Sequence, residues 1–244
     1  MPKILKQWMR RTLLASQENL TALDDPYNVL ARLLKKHVVT GILDAGASNG
    51  RVARKLLRLF PKAKAYAFEA NPAYAEVLNQ YAAEDSRVLP QMSALADAPG
   101  IIELNVAQSP GVTSLFRPAA RLRQIHPMET EIRRVERVPA VRLDDWVEQN
   151  RVPAIELMKF DIQGAELLAM KGAEKTLRET TLVVYTEVFF NPMYEGGAVF
   201  AEIDLFLRTC GFLLYNLYKV RADARGMLNQ ANAVYVKADA LETP

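Results

Sequence analysis

An acid and two glycines stand together in ILDAGASNG, residues 42–50. The stretch joins an apolar run to RVARKLLRLF, whose apolar residues recur at helical spacing. In open α/β sheets ligands bind beyond the carboxyl ends of strands, and this loop falls at such an end. Gly46 and Gly50 permit conformations and close approach that a side chain would block. The helix starting near Asn49 turns free N–H groups toward the same place. Two cofactors fit such a loop. A dinucleotide asks for G-x-G-x-x-G. Counted from Gly46, the other glycine positions hold Ser48 and Arg51, and Arg51 is bulky where the helix must pack closely. S-adenosylmethionine has no phosphate and does carry an amino group, which Asp44 would meet directly or through water. Ala47, Ser48 and Asn49 complete that cradle. For the loop by itself, a plain strand-to-helix turn stays open.

The next apolar run ends in AFEANP, and Glu69 lies 25 residues after Asp44. An acid there can accept hydrogen bonds from both ribose hydroxyls of either cofactor, with Ala70 beside it. The third strand end brings Gln91, Met92 and Ser93 to where adenine would lie, although Met92 is also an ordinary core residue.

These groups need elements to hold them. Residues 1–40 read as a helical extension with a break at Asp24-Asp25-Pro26, and residues 41–244 as the main domain. VVTGILDA, KAKAYAFEA and SRVLPQMSA read as strands, alternating with helices over NGRVARKLLRLF and PAYAEVLNQYAAE. That alternation implies parallel βαβ units. The rhythm breaks over residues 93–150, where GIIELNVA and ERVPAVRL read as strands around a Pro- and Arg-rich stretch. It resumes with IELMKFDI, one helix over AELLAMKGAEKTLRE, the strand TLVVYTEVFF, a helix ending at Gly211 and two final strands. The expectation is a doubly wound, mostly parallel, seven-stranded sheet with an insertion between strands 3 and 4.

Composition narrows the classes. The 244 residues are 50% hydrophobic, enough for one sizeable core. The single cysteine, Cys210, precludes an internal disulfide framework and points to a reducing, cytoplasmic setting. No apolar run reaches the roughly 18 residues needed to cross a bilayer. The basic N-terminus has a weak amphipathic pattern in Ile4, Leu5, Trp8, Met9 and Leu13, which allows a peripheral membrane contact or a helix packed on the domain. A net charge of +3 is too weak to argue for nucleic acid. The two histidines, His37 and His126, lie too far apart in sequence to outline a metal site. Oligomeric state is left open.

The motifs together resemble the FkbM-type methyltransferases. D-x-G-A-x-x-G followed by F-E-A-N-P is similar to the family's donor region. LMKFDIQGAELLAMKGAEKTL, residues 157–177, resembles its K-I-D-x-E-G-x-E-x-x-x-L-x-G block, and VRLDDWV its lead-in. NPMYEGGAVFAEIDLFLRTCGF resembles the C-terminal pattern, so the likeness covers residue 41 to about residue 237. Three positions depart from it: Ser48 for a frequent Asn, Ala70 for a common Pro, and Gln163 for a frequent Glu. The resemblance implies a Rossmann-like class I methyltransferase fold, S-adenosylmethionine as donor, and O-methylation of a sugar, glycan or natural-product hydroxyl.

Methyl transfer is an in-line displacement at a sulfonium, so the protein must align an acceptor oxygen and remove its proton. KFDIQGAE sets Lys159, Asp161, Gln163 and Glu166 at the fourth strand end, with Lys159 and Asp161 on one face of an extended strand. Asp161 is the first candidate for base, acceptor positioning or donor contact. Lys159 and Asp161 are equally readable as a pair holding the strand end, and Glu166 as a helix-start acid. Glu187, ending the fifth strand, would face the same cleft. No metal is expected.

Residues 117–142 hold Arg117, Arg121, Arg123, Arg133, Arg134, Arg137 and Arg142 against Glu129, Glu131 and Glu136. They follow SPGVTSLF and read as a lid for an anionic acceptor or as a solvated charged face. A nucleic-acid methyltransferase, a non-catalytic S-adenosylmethionine-binding protein and a dehydrogenase are the competing classes.

Overall fold

A computed structural model of the chain describes residues 20–241. The amphipathic residues Ile4 to Leu13 lie outside it. In chain order the strands are β1 (Gly41–Ala45), β2 (Lys64–Phe68), β3 (Val88–Gln91), β4 (Ala94–Leu95), β5 (Gly100–Ala107), β6 (Ile132–Val141), β7 (Leu157–Phe160), β8 (Val183–Phe189), β9 (Phe212–Ala222) and β10 (Leu228–Lys237). Seven form one sheet in the order β3-β2-β1-β7-β8-β10-β9. The β2-β3, β1-β2, β1-β7 and β7-β8 pairs are parallel, and β10 runs antiparallel to both β8 and β9. Without β4 to β6 this is the doubly wound, mostly parallel seven-stranded sheet expected from the alternating pattern, in the class I order that the resemblance implied.

Consecutive strand residues point to opposite faces, and helices cover both. Leu43, Met158, Val184 and Tyr235 therefore join one core cluster, while Ile42, Leu157, Val183 and Val234 join the other. This is why GILDA is buried at every position and carries no polar alternation. The helix Pro26–Leu33 is capped by Asp25, whose Oδ1 accepts the Tyr27 N–H at 2.9 Å. Its Val29 and Leu30 sink into the cluster of Ile42 and Leu56, so this segment is packed on the domain.

Residues after β3 build a second, three-stranded sheet in the order β4-β6-β5, with β4 parallel and β5 antiparallel to β6. Its Leu95 and Leu104 line one cleft with Ala45 and Phe68, the last residues of β1 and β2.

One element differs from the sequence reading. AELLAMKGAEKTLRE is two helices, Glu166–Lys171 and Glu174–Glu179. Asp144 causes the restart. Its backbone N–H donates to the Gly172 carbonyl at 2.9 Å, and its carboxylate accepts the N–H groups of Lys175 and Thr176, each at 2.9 Å. It thus supplies from a distance the cap that the second helix lacks locally. Among the described residues no helix is long and apolar enough to cross a membrane.

Candidate active site

The glycine loop is stitched to its neighbours before any ligand is considered. The Gly46 and Ala47 N–H groups donate to the Phe68 carbonyl at 2.9 and 3.0 Å, and Asp161 N–H to the Ala45 carbonyl at 3.1 Å. Gly46 has φ +75°, and a Cβ there would lie 2.0 Å from the Asp161 carbonyl oxygen. Its glycine is required by the β7 end as much as by a ligand. Ser48 also sits in the left-handed region, at φ +48°, where the family's frequent Asn is better tolerated. Gly46 and Ser48 line the cleft. Ala47 packs with Ala67 and Leu78, while Asn49 and Gly50 form the helix start and stay out of the lining.

Asp44 and Lys159 are placed differently from the sequence expectation. Both are buried behind the loop, outside the cleft lining. The parallel register sets Asp44 opposite Lys159, and Lys159 Nζ lies 3.0 Å from Asp44 Oδ1. Lys159 also donates to the carbonyls of Ala45 at 3.2 Å and Gly46 at 3.0 Å, which fixes the loop from beneath. Burial works against the ammonium, but Asp44 and Asp161 more than reverse it and raise its pKa. Burial pushes the Asp44 carboxyl upward, and Lys159 pulls it back. Asp44 therefore faces a lysine rather than a ligand's amino group. β7 ends at Phe160, yet Lys159 Nζ still lies 3.9 Å from Asp161 Oδ2, so the pair expected at the strand end is present while only Asp161 reaches the cleft.

The cleft encloses about 260 Å³. One end is built by Glu69, Ala70, Asn71, Tyr74, Ser93 and Leu95, closed by Leu104 of β5. Glu69 Oε2 accepts the Ser48 N–H at 2.7 Å, and its Oε1 the Asn71 N–H at 2.8 Å. A carboxylate has about four acceptor sites, so two remain for paired hydroxyls. Burial raises the Glu69 pKa, with the Asn71 and Ser48 N–H groups opposing it. Met92 leaves the lining and packs with Tyr74 and Leu78, and Gln91 Oε1 is taken by the Trp146 indole N–H at 3.2 Å. Ser93 is thus the expected adenine-side residue that reaches the cleft. Asn71 and Tyr74 were not anticipated, although Asn71 stands in the quoted AFEANP.

At the other end Asp161 and Gln163 line the cleft. The Asp161 side chain is 45% exposed, with its Oδ2 3.9 Å from Lys159 Nζ. Glu187 is buried behind Gln163, whose carboxamide reaches both acids. Burial, then the Asp161 and Glu166 carboxylates, push the Glu187 carboxyl well above the usual range. Tyr194 and Ser114 join from two other loops, each bonding Gln163. Both stood in stretches singled out in the sequence, but contact across 31 and 49 residues leaves no local signal.

Glu166 is fully buried and does not meet the cleft. Its oxygens accept the N–H groups of Ile162 at 2.9 Å and Gly164 at 2.8 Å, holding the turn that carries Asp161 and Gln163. Burial pushes its carboxyl from 4.5 up to about 7, against the pull of the Ile162 N–H. The folded state then binds this proton more tightly than the unfolded chain. Its contribution to stability is complete below pH 4.5 and is lost as pH rises through about 7. Urea unfolding is expected to weaken by up to about 3 kcal/mol across that window. In Glu166→Gln that slope should flatten, and an unchanged slope would assign the pH dependence elsewhere.

The arginines do not close over this site. Arg121 binds Asn229 and Asp223, Arg123 binds Glu195, Arg133 binds Glu131, Arg134 binds Glu136, and Arg142 binds Asp145. None of the seven lines the cleft, which carries two carboxylates and no basic side chain. Among the described residues no cluster of three metal-ligating side chains occurs.

That lining can be tested against the two cofactors. A dinucleotide would bring a pyrophosphate to a pocket with carboxylates and no cation. S-adenosylmethionine brings a sulfonium and an ammonium to the same carboxylates, and its ribose to the free acceptor sites of Glu69. The second fits.

Comparisons with known proteins agree. The family model for the methyltransferase FkbM domain matches residues 44–214. The 2-O-methyltransferase NoeI of Sinorhizobium fredii (strain NBRC 101917 / NGR234) is 31% identical over 160 residues, covering 64% of this chain and 65% of NoeI, just under two thirds of its length. Methyltransferase sdnD of Sordaria araneosa is 26% identical over 193 residues, covering 70% and 73% of the two chains. Among solved structures, magnesium protoporphyrin IX methyltransferase of Synechocystis PCC 6803, with bound donor, superposes with a TM-score of 0.47 at 12% identity over 96% of each chain. The family match spans most of the chain and includes both the glycine loop and the Asp161 turn. The chain belongs to the FkbM-domain methyltransferases, enzymes that use S-adenosylmethionine.

Proposed function

We propose that this protein methylates a hydroxyl oxygen of a sugar, glycan or other small molecule. The observation that carries the reading is the cleft itself, lined by Glu69 and Asp161 and by no basic side chain. When bound, S-adenosylmethionine supplies a methyl group on a sulfonium that departs as a neutral thioether. Glu69 holds the ribose, and Ser93 and Tyr74 flank the base. Asp161 orients the acceptor hydroxyl and takes its proton as the oxygen–carbon bond forms. Lys159 and Asp44 set the loop from behind, and Glu166 sets the Asp161 turn.

A cavity of about 260 Å³ lies near the lower end for ligand pockets, roughly 300–1,000 Å³. With the donor held there, the acceptor would react beside Asp161 and Gln163, which line the same cleft. An oxygen acceptor is supported by NoeI, which is named a 2-O-methyltransferase. The single cysteine, Cys210, is buried and fits a cytoplasmic setting.

Calorimetric titration of S-adenosylmethionine, S-adenosylhomocysteine and NAD tests the donor assignment. The two adenosyl ligands should bind at micromolar concentration and NAD should not. Glu69→Gln should weaken both by roughly a hundredfold, since two hydrogen bonds to a charged group are impaired. Unchanged binding in that variant would remove Glu69 from the site. Incubation with radiolabelled donor and a panel of sugars and glycans then reads the acceptor class.

A further inference from the structure

Three loops and one strand meet at Gln163. Its Nε2 donates to Asp161 Oδ1 at 2.9 Å and to Glu187 Oε2 at 2.7 Å. Its Oε1 accepts the Tyr194 hydroxyl at 2.7 Å, and its main-chain carbonyl accepts the Ser114 hydroxyl at 2.6 Å. Gln230 of β10 donates to Glu187 Oε1 at 2.8 Å. The amide can face only one way. Reversed, its oxygen would oppose two carboxyl groups at once. Gln163 itself sits at φ +56°, a conformation that costs a non-glycine residue of order 1 kcal/mol. A side chain is therefore kept at a position where glycine would be easier.

We propose that Gln163 is a positioning residue that, by placing one N–H on each of Asp161 and Glu187, holds the Asp161 carboxylate turned to receive the acceptor's hydroxyl proton. The proposal rests on the hydroxyl-methylation reading above. A carboxylate at residue 163, frequent in the family, would bring three acids together. Like charges so close cannot all ionise, so that arrangement needs an added proton or a cation. The amide needs neither, because its two N–H groups already fill the space between the acids.

The charged and titratable surroundings are consistent with the division of roles. Lys159, itself paired with Asp44, faces Asp161 Oδ2 at 3.9 Å. Glu166 adds negative charge behind Glu187. Tyr194, Tyr185 and Tyr27 are held neutral by burial, which raises each phenol. Glu187 is the more buried acid, and any proton the pair holds resides there. Asp161, with Oδ1 engaged by the amide, offers Oδ2 to the incoming hydroxyl.

The test is a carbon-13 carboxyl NMR titration of the full chain, wild type against Gln163→Glu and Gln163→Ala, with S-adenosylhomocysteine calorimetry on all three. In Gln163→Glu, nearly the same size and expected to fold, a new titration step shared by Asp161 and the introduced carboxyl should appear at least about one pH unit higher. Mg²⁺ should bind that variant at least about tenfold tighter than wild type and suppress the step. In Gln163→Ala the Asp161 midpoint should rise without any gain in Mg²⁺ binding. A purely structural Gln163 would lower the melting temperature in both variants and leave the Asp161 midpoint where it was, which overturns the proposal. If wild type fails to bind S-adenosylhomocysteine, the functional reading falls, and this proposal with it. If all three bind it alike and the Asp161 midpoint never moves, only the role given to Gln163 falls.

Discussion

Lys159→Met is expected to cost the fold about 3–5 kcal/mol, because it leaves the Asp44 carboxylate fully buried with no charge partner. That is a large share of the roughly 5–15 kcal/mol that holds a domain together. The loss has a second component, since the Ala45 and Gly46 carbonyls lose their donor as well. Urea unfolding reads the size. Adding Asp44→Asn to Lys159→Met should recover much of it, since removing both members of a buried pair costs far less than removing one. A single-variant loss under about 1 kcal/mol would mean that water reaches the pair.

Gly46→Ala should be nearly as damaging, for a steric reason. The added Cβ would lie 2.0 Å from the Asp161 carbonyl oxygen, on backbone at φ +75°. The loop must move off the β7 end, carrying Ser48 and the Asp161 turn with it. Melting temperature and S-adenosylhomocysteine affinity should fall together. Gly226→Ala is the control. That turn has φ +85° with nothing within 4 Å, so it carries the conformational cost of about 1 kcal/mol without the collision. Equal effects at the two glycines would show that φ, and not space, decides the matter at Gly46.

Much of the sheet was legible because parallel strands covered on both faces read as mostly apolar runs. GILDA, LMKF and VVYTEVF announce themselves in that way, each interrupted by one charged residue, Asp44, Lys159 and Glu187 respectively. The glycine loop and Glu69 were legible for a related reason, since their spacing is set inside one βαβ unit. The partnership of Asp44 with Lys159 was hidden. It depends on β7 lying beside β1 in one register, a fact of tertiary structure. The break at Gly172 was hidden too, because its cap comes from Asp144 on another helix. The arginines show the intermediate case. Arg133, Arg134 and Arg142 have their acids two or three residues away, so local pairing was visible in principle. Arg121 reaches Asp223 on the far hairpin, and nothing local shows it. The identity of the residue at 163 was plain from the sequence. Its contacts with Glu187 and Tyr194, 24 and 31 residues away, leave no local trace.

The two ends of the cleft differ in how far along the chain their parts must travel to meet. Glu69 is secured by partners 2 and 21 residues away. The cluster around Gln163 closes contacts spanning 24, 31, 43 and 49 residues, drawn from the loop between β5 and β6, the turn after β7, β8 itself, the loop after β8 and β10. Loop-closure entropy makes such contacts late to form and early to open. On the roles proposed above, partial opening should therefore loosen the Asp161 turn before it loosens the Glu69 contacts. Amide exchange would register this as faster opening at Ser114 and Gln163 than at Ser48 and Asn71. A warmed or mildly denatured sample would then keep its affinity for S-adenosylhomocysteine after the Gln163 cluster has opened.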